Sequence, residues 1–316
     1  MTSITPRLPR RSLAGRTPDP YYGFDLTFRQ ELAMRWSPGH RSANVEDRRG
    51  AGGGFMRGAG GMGAGGLVIL VILSLIFGRD FVSLASNVGV APGAESGEAP
   101  PAETTPEEER LVSFVSFVLD DAQTSWRQIS SQTGIPYRDA KLVLFRDAVQ
   151  SACGFAETAT GPFYCPADEK VYIDLGFYEE LQQRFGAPGD FAQAYVLAHE
   201  IGHHVQNLLG TEAQVREART RRADLANELS VRLELQADCY AGVWGHAAAQ
   251  RQRLEPGDVE EGLAAAAAVG DDRLQRMGGG RVAPESFTHG SSAQRQEWFQ
   301  RGMQSGRPDA CDTFRQ

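Results

Sequence analysis

The alternation of apolar and polar positions divides the chain into contrasting stretches. LVILVILSLIF, from Leu67 to Phe77, carries no charge. With the Gly, Ala and Met before it and Gly78 after it, it approaches the roughly 20 residues that cross a bilayer. It therefore predicts a transmembrane helix within residues 64–85. A cleaved signal peptide competes with this reading through SLAS, but the segment in front is far too long for a signal n-region. Beyond the run, Leu111, Val112, Val115, Val118 and Leu119 recur at the spacing of one helix face, which predicts a helix from Leu111 to Gln132. PFYC and VYIDL, joined by PADEK, read as two short strands of a hairpin. A helix with Asp190 as N-cap and Gly210 as its end follows. Two more are expected, over Ala223–Gln252 and Asp258–Val269. The fold class is α+β, mainly helical with a small β-sheet, preceded by one transmembrane helix.

Composition refines this picture by region. Residues 1–63 are rich in Arg, Gly and Pro and include GAGGGFMRGAGGMGAGG, a stretch too poor in apolar surface to offset the entropy of ordering; it is expected to be flexible. DLTFRQELAMRW within it could form a short helix. Residues 86–109 form a Pro/Ala/Glu linker, and residues 110–316 form the folded domain. Arg35, Arg41, Arg48, Arg49 and Arg57 precede the apolar run and an acidic linker follows it. The positive-inside rule thus places the N-terminus in the cytoplasm and the domain outside, in the periplasm or beyond, with the lipid bilayer as a partner through one anchor helix. The 316 residues carry a net charge of −8 with 23% charged residues. No basic patch points to nucleic acid. The four cysteines all follow the apolar run. Cys153 is close enough in sequence to Cys165 to pair with it across the hairpin, leaving Cys239 to tie Cys311 to a helix.

Candidate chemistry concentrates in LAHEIGHHVQNLLG, residues 197–210. It contains H-E-x-x-H with one histidine to spare. At about 100° per residue, His203 lies about 40° round the helix from His199 and His204 about 140° round. Two imidazoles grip one ion only from the same face, so His199 and His203 are the expected Zn2+ ligands and His204 belongs to the packed face. Glu200 stands beside that face, where a general base would take a proton from water. Gln206 and Leu209 occupy the positions that a third-histidine pattern H-E-x-x-H-x-x-G-x-x-H would need, so a third ligand must come from elsewhere. LELQADCYAG offers Glu234 and, one turn on, Asp238, placed to hold a ligand histidine by its second nitrogen. Ala237 and Ala241 beside them would let another helix approach closely. Glu228, with Arg232 one turn later, reads as a surface ion pair. His289 in FTHGSS is a candidate for stabilising an oxyanion or, alternatively, a turn histidine. Tyr195 either lines the cleft or packs. His246 faces solvent or core. GDDR, residues 270–273, reads as a helix-end charge cluster.

SNVEDRRG, GPFYCP, VYIDL, GDFAQAYVLAHEIGHHVQ, ELQADCYAGVW, GDDRLQ and FTHGSSAQRQEWF together resemble the bacterial neutral zinc metallopeptidase family, from about Met34 to the C-terminus. The resemblance implies a zincin-like domain of the glutamate type, with Zn2+ as cofactor and a protein or peptide as substrate. Its ligands would be His199, His203 and Glu234, and its base Glu200. The expected function is a membrane-anchored endopeptidase acting outside the cytoplasm. The alternative is a non-catalytic, zinc-stabilised envelope protein that binds a partner.

Overall fold

The computed structural model describes residues 34–50, 104–157 and 160–315. The apolar run at 67–77 and most of the linker lie outside them. Among the described residues no helix is long and apolar enough to cross a membrane. Strand β1 is Val45–Asp47. Helix α1 spans Pro106–Thr133: Thr105 and Glu108 close a capping box, Pro106 sits in the first turn, and Gly134 at φ 76° ends it. Residues 104–109, expected in the linker, are thus the cap and first turn of a helix. Val112, Val115, Val118, Leu119 and Trp126 line its buried face.

The strands β2 (Lys141–Phe145), β3 (Ala148–Ser151), β4 (Gly154–Glu157), β5 (Phe163–Cys165) and β6 (Lys170–Asp174) follow. One sheet has the order β1-β2-β6-β5, and β3-β4 is a separate hairpin. β1, β2 and β6 run parallel and β5 is antiparallel at the edge, pairing Cys165 with Lys170 as the hairpin reading required. Cys153 bonds to Cys165. This bridge links the β3–β4 turn to the end of β5 rather than stapling β5 to β6.

The remaining elements are α2 (Gly176–Gln183), α3 (Asp190–Leu209), α4 (Thr211–Arg221), α5 (Ala226–Gln250), α6 (Asp258–Ala268), α7 (Asp271–Met277) and α8 (Ser292–Ser305). The helix expected from Ala223 begins at Ala226 instead, after a 3-10 turn. Gly189, not Asp190, is the N-cap of α3, and no side chain caps it in the ordinary way. Close backbone contact sets how the helices meet. A Cβ at Gly202 of α3 would lie 2.9 Å from the Ala237 carbonyl of α5. A Cβ at Gly302 of α8 would lie 2.0 Å from the Cys239 carbonyl. α5 is therefore clamped between α3 and α8, and the Cys239–Cys311 bond fastens the C-terminal segment to it.

Residues 34–50, expected to belong to a flexible cytoplasmic segment, are instead built into this body. β1 matches Val45 to Leu142 and Asp47 to Leu144. The Arg35 amide donates to the Arg253 carbonyl at 2.8 Å, and buried Arg49 bridges Asp47 and Glu109 at 2.6 and 2.8 Å.

Candidate metal centre

α3 presents His199 and His203 one turn apart, and α5 brings Glu234 opposite them through the Gly202–Ala237 contact. Nε2 of His199 lies 3.2 Å from Nε2 of His203 and 3.2 Å from Glu234 Oε2, and His203 Nε2 lies 3.6 Å from Glu234 Oε1. Ligands at 2.0–2.1 Å around a tetrahedral zinc stand roughly 3.3 Å apart, so the spacing fits one ion. The other ring nitrogens are engaged. His199 Nδ1 is 2.8 Å from Asp238 Oδ1 and His203 Nδ1 is 2.8 Å from Gln206 Oε1. Both acceptors fix the proton on Nδ1 and leave an Nε2 lone pair facing its neighbour. Two such lone pairs and a carboxylate converging on one point suit a cation. The three groups also act strongly on one another's charge. Burial alone would push the His203 imidazole down, but the Glu234 carboxylate outweighs it and raises the ring to about 10. Burial likewise opposes the charge of Glu234, yet the two histidines hold it well below the usual carboxylate range.

The support reaches further than the local motif. Asp238 is fully buried on α5. Its Oδ1 accepts from His199, from the Tyr195 hydroxyl and from Arg295 Nη2 at 2.8 Å, and its Oδ2 accepts from Arg295 Nε at 2.8 Å. Burial raises the cost of the Asp238 charge, but the Arg295 guanidinium of α8 outweighs it and lowers the carboxyl. Asp238 stands against His199, and the sequence reading missed Arg295, which lies on a helix the pattern did not predict. It also missed Gln206, although Gln206 stands one turn after His203 on the same helix. Tyr195 resolves to both of its alternatives: it is buried, it touches Asp238, and it borders the cleft.

His204 stays apart from the centre. It is fully buried, its Nε2 donates to the Arg138 carbonyl at 2.7 Å, and its Nδ1 accepts from the Tyr164 hydroxyl at 3.0 Å. Burial lowers its pKa, in keeping with a neutral, structural imidazole. Glu228 pairs with Arg232 at 2.7 Å at the surface. His246 donates from Nδ1 to the Met303 carbonyl at 2.8 Å.

A cavity of about 1110 Å³ opens over the centre, bordered by Glu200, His199, Glu234, His289, Phe163 and Tyr164 among others. Burial pushes the Glu200 carboxyl up, against the pull of His203 and His199. That shift brings it toward the range in which a carboxylate can accept and return a proton. His289 is held by Asp271, whose Oδ1 lies 3.1 Å from His289 Nδ1. Asp271 Oδ2 accepts from the amides of Thr288, His289 and Gly290 at 2.7, 2.7 and 3.0 Å. Asp271 is indeed a helix-end charge at the start of α7, but its work is to shape the loop that carries His289. Burial lowers the His289 ring, and Asp271 with Glu234 more than compensates, so its pKa is raised. With Nδ1–H donating to Asp271, Nε2 becomes a donor only in the protonated ring, the form that the raised pKa favours.

A family model described as "Putative neutral zinc metallopeptidase" matches residues 34–314. The "Uncharacterized protein YpfJ" of Escherichia coli (strain K12) is 46% identical over 288 residues, covering 89% of this chain and 99% of that protein. The "Uncharacterized protein Rv2575" of Mycobacterium tuberculosis (strain ATCC 25618 / H37Rv) is 48% identical over 189 residues, 56% of this chain and 63% of that one. Neither name states an activity. No solved structure matches the chain.

Proposed function

The chain belongs to the neutral zinc metallopeptidase family, and from that premise we propose that it is a zinc-dependent endopeptidase that works outside the cytoplasm. The observation that carries this reading is the division of labour in the cavity. Three donor atoms, from His199, His203 and Glu234, converge on one point. A second acidic group, Glu200, borders the cavity beside them without belonging to the set. A purely structural zinc site closes its shell with four protein ligands and needs no such base.

Zinc, when bound, supplies a Lewis acid that activates water and stabilises the oxygen that gains charge. Glu200 takes the proton from the attacking water and delivers it to the leaving amine. As the imidazolium, His289 donates from Nε2 toward the carbonyl oxygen as charge develops there, its ring held by Asp271. Asp238 and Arg295 keep His199 in one tautomer and one orientation. The substrate class follows from the sheet. β5 is an edge strand whose residues Phe163 and Tyr164 border the cavity. An extended peptide can add to such an edge by main-chain hydrogen bonds and lie across the metal.

Two disulfides favour an oxidising compartment. A lipid contact through the apolar run at 67–77 also forms part of the proposal. The β1–β2 ladder supports placing residues 34–50 and 104–315 on one side of the membrane, rather than residues 34–50 in the cytoplasm. Reporters inserted after Gly50 and after Gln316 should both be active outside; activity at opposite sides would break the ladder's implication.

The enzymatic test is incubation of the purified chain with a peptide library, with and without chelator, read by mass spectrometry. Internal cleavage that chelator abolishes and zinc restores is expected. An intact library in the presence of stoichiometric zinc would favour the non-catalytic, partner-binding alternative.

A further inference from the structure

We propose that Asp190, Asp258 and Glu261 form a second cation site, distinct from the zinc centre, which takes a hard divalent ion of the Ca2+ or Mg2+ class and pins the start of α3 to α6. Asp190 opens α3, Asp258 opens α6, and Glu261 follows one turn later. One carboxylate oxygen from each lies within 4.8 Å of the others. Oxygens that share one Ca2+ at 2.3–2.6 Å are at most roughly 5 Å apart, so the three fit a single ion.

Proximity of acidic groups is not by itself a site; the state of their oxygens is the second observation. Asp258 is fully buried, and its Oδ1 has no hydrogen-bond partner. Both carboxylate oxygens of Asp190 are likewise shut off from solvent and unpartnered. Burial pushes the Asp190 carboxyl up, against the pull of the Met34, Phe191 and Asp190 amides and of the Arg110 guanidinium. The contacts that do form are few: the Glu255 amide donates to Asp258 Oδ2 at 2.8 Å, and the Phe191 amide to Glu261 Oε2 at 3.1 Å. Buried carboxylate oxygens left without a donor are costly, and an ion among them would supply the missing partner.

The backbone is shaped around the same group. Gly189 holds φ 113°, and a Cβ there would sit 2.0 Å from the Glu261 carboxyl carbon. The space that any other residue would fill belongs to the Glu261 carboxylate. The donor set is all oxygen, with neither imidazole nor thiolate, which selects a hard ion rather than a second zinc.

The test uses the full chain with its zinc in place, dialysed free of alkaline-earth ions, its zinc content checked by elemental analysis. CaCl2 and MgCl2 are then titrated separately while bound ion and melting temperature are measured. One equivalent of either ion should bind and raise the melting temperature by roughly 5–10 °C at 100 times its Kd. Asp258→Asn and Glu261→Gln should each bind no ion and show no rise, with zinc retained. Without added ion they should melt no lower than the parent, because each removes one of three mutually repelling charges. Should one variant fail to fold, the other carries the comparison. A parent chain that binds neither ion and melts at the same temperature in both would overturn the site. So would a rise that persists unchanged in the variants.

Discussion

Helix α3 bears two sets of ion-seeking side chains, and they are built on opposite principles. In its middle, His199 and His203 each have one nitrogen tied to a named acceptor, so that the other is free and aimed. At its start, Asp190 meets Asp258 and Glu261, and both Asp190 oxygens and Oδ1 of Asp258 lack a hydrogen-bond donor. The first set is pre-organised by second contacts: Asp238 and Arg295 for one histidine, Gln206 for the other. The second is held by where two helices begin, by one amide each on Asp258 and Glu261, and by the room at Gly189. Pre-organisation of the first kind suits chemistry, which needs a fixed lone pair and a base beside it. Convergence of the second kind suits the fastening of one element to another.

The contrast can be broken most forcefully at the zinc ligands. His203→Ala and Glu234→Gln should each abolish stoichiometric zinc, whereas Glu228→Gln should leave it untouched. Elemental analysis of folded protein decides this, and zinc kept in Glu234→Gln but lost in Glu228→Gln would reverse the assignment. A step weaker is the contact behind the ligand. Asp238→Asn should weaken zinc by roughly 10–100-fold, measured by competition with a chelator of known affinity. Full affinity in that variant would mean that Arg295 and Asp238 serve only packing.

His204→Ala separates the spare histidine from its neighbour. It strands the Arg138 carbonyl, so a loss of about 1–3 kcal/mol in unfolding free energy is expected with zinc content unchanged. Loss of zinc without loss of stability would restore His204 as a ligand.

The acidic set responds to pH, and the sign follows from its raised pKa values. Burial lifts Asp258 to about 6, with Asp190, Glu255 and Glu260 adding to it, and Glu261 to about 7, with Asp190 and Asp258 adding to it. The folded chain therefore holds these protons more tightly than the unfolded one. The associated stability is complete below about pH 4 and is lost as pH rises through about 7. Ion-free protein should lose melting temperature across that window, most steeply from about pH 5 to 7. Asp258→Asn should flatten the slope, and an equally steep slope in that variant would place its origin elsewhere. This is the smallest of the expected effects.

What the sequence revealed divides along the same line. The zinc motif was legible because His199, Glu200 and His203 relate to one another through the geometry of one helix. Asp238 was legible because it stands one turn from Glu234. Arg295 was not, since it arrives from α8, nearly a hundred residues on, and nothing local marks it. Asp190 was read as a helix cap, for which aspartate at that place is the usual reason. The carboxylates that meet it come from α6, and only the fold brings them there. The helices α1, α3 and α6 were visible through period and caps, to within a few residues at their starts. β2 was not predicted: its buried run KLVLF, covered on both faces as parallel strands are, shows no alternation. β1 is three residues long, too short for any period, and lies in a stretch whose arginine content suggests a solvated segment. Arg48 and Arg49 are committed instead to carboxylates, Glu46 for the first and Asp47 and Glu109 for the second.

The central claim is that His199, His203 and Glu234 hold zinc so that Glu200 can act as base beside it. Glu200→Gln keeps the shape of the side chain and removes its basicity. Zinc content and hydrolysis of a peptide identified from the library should be measured on the same preparation of this variant. The account predicts one zinc per chain, as in the parent, with cleavage reduced by at least about 100-fold. Cleavage at the parent rate with zinc bound would contradict it.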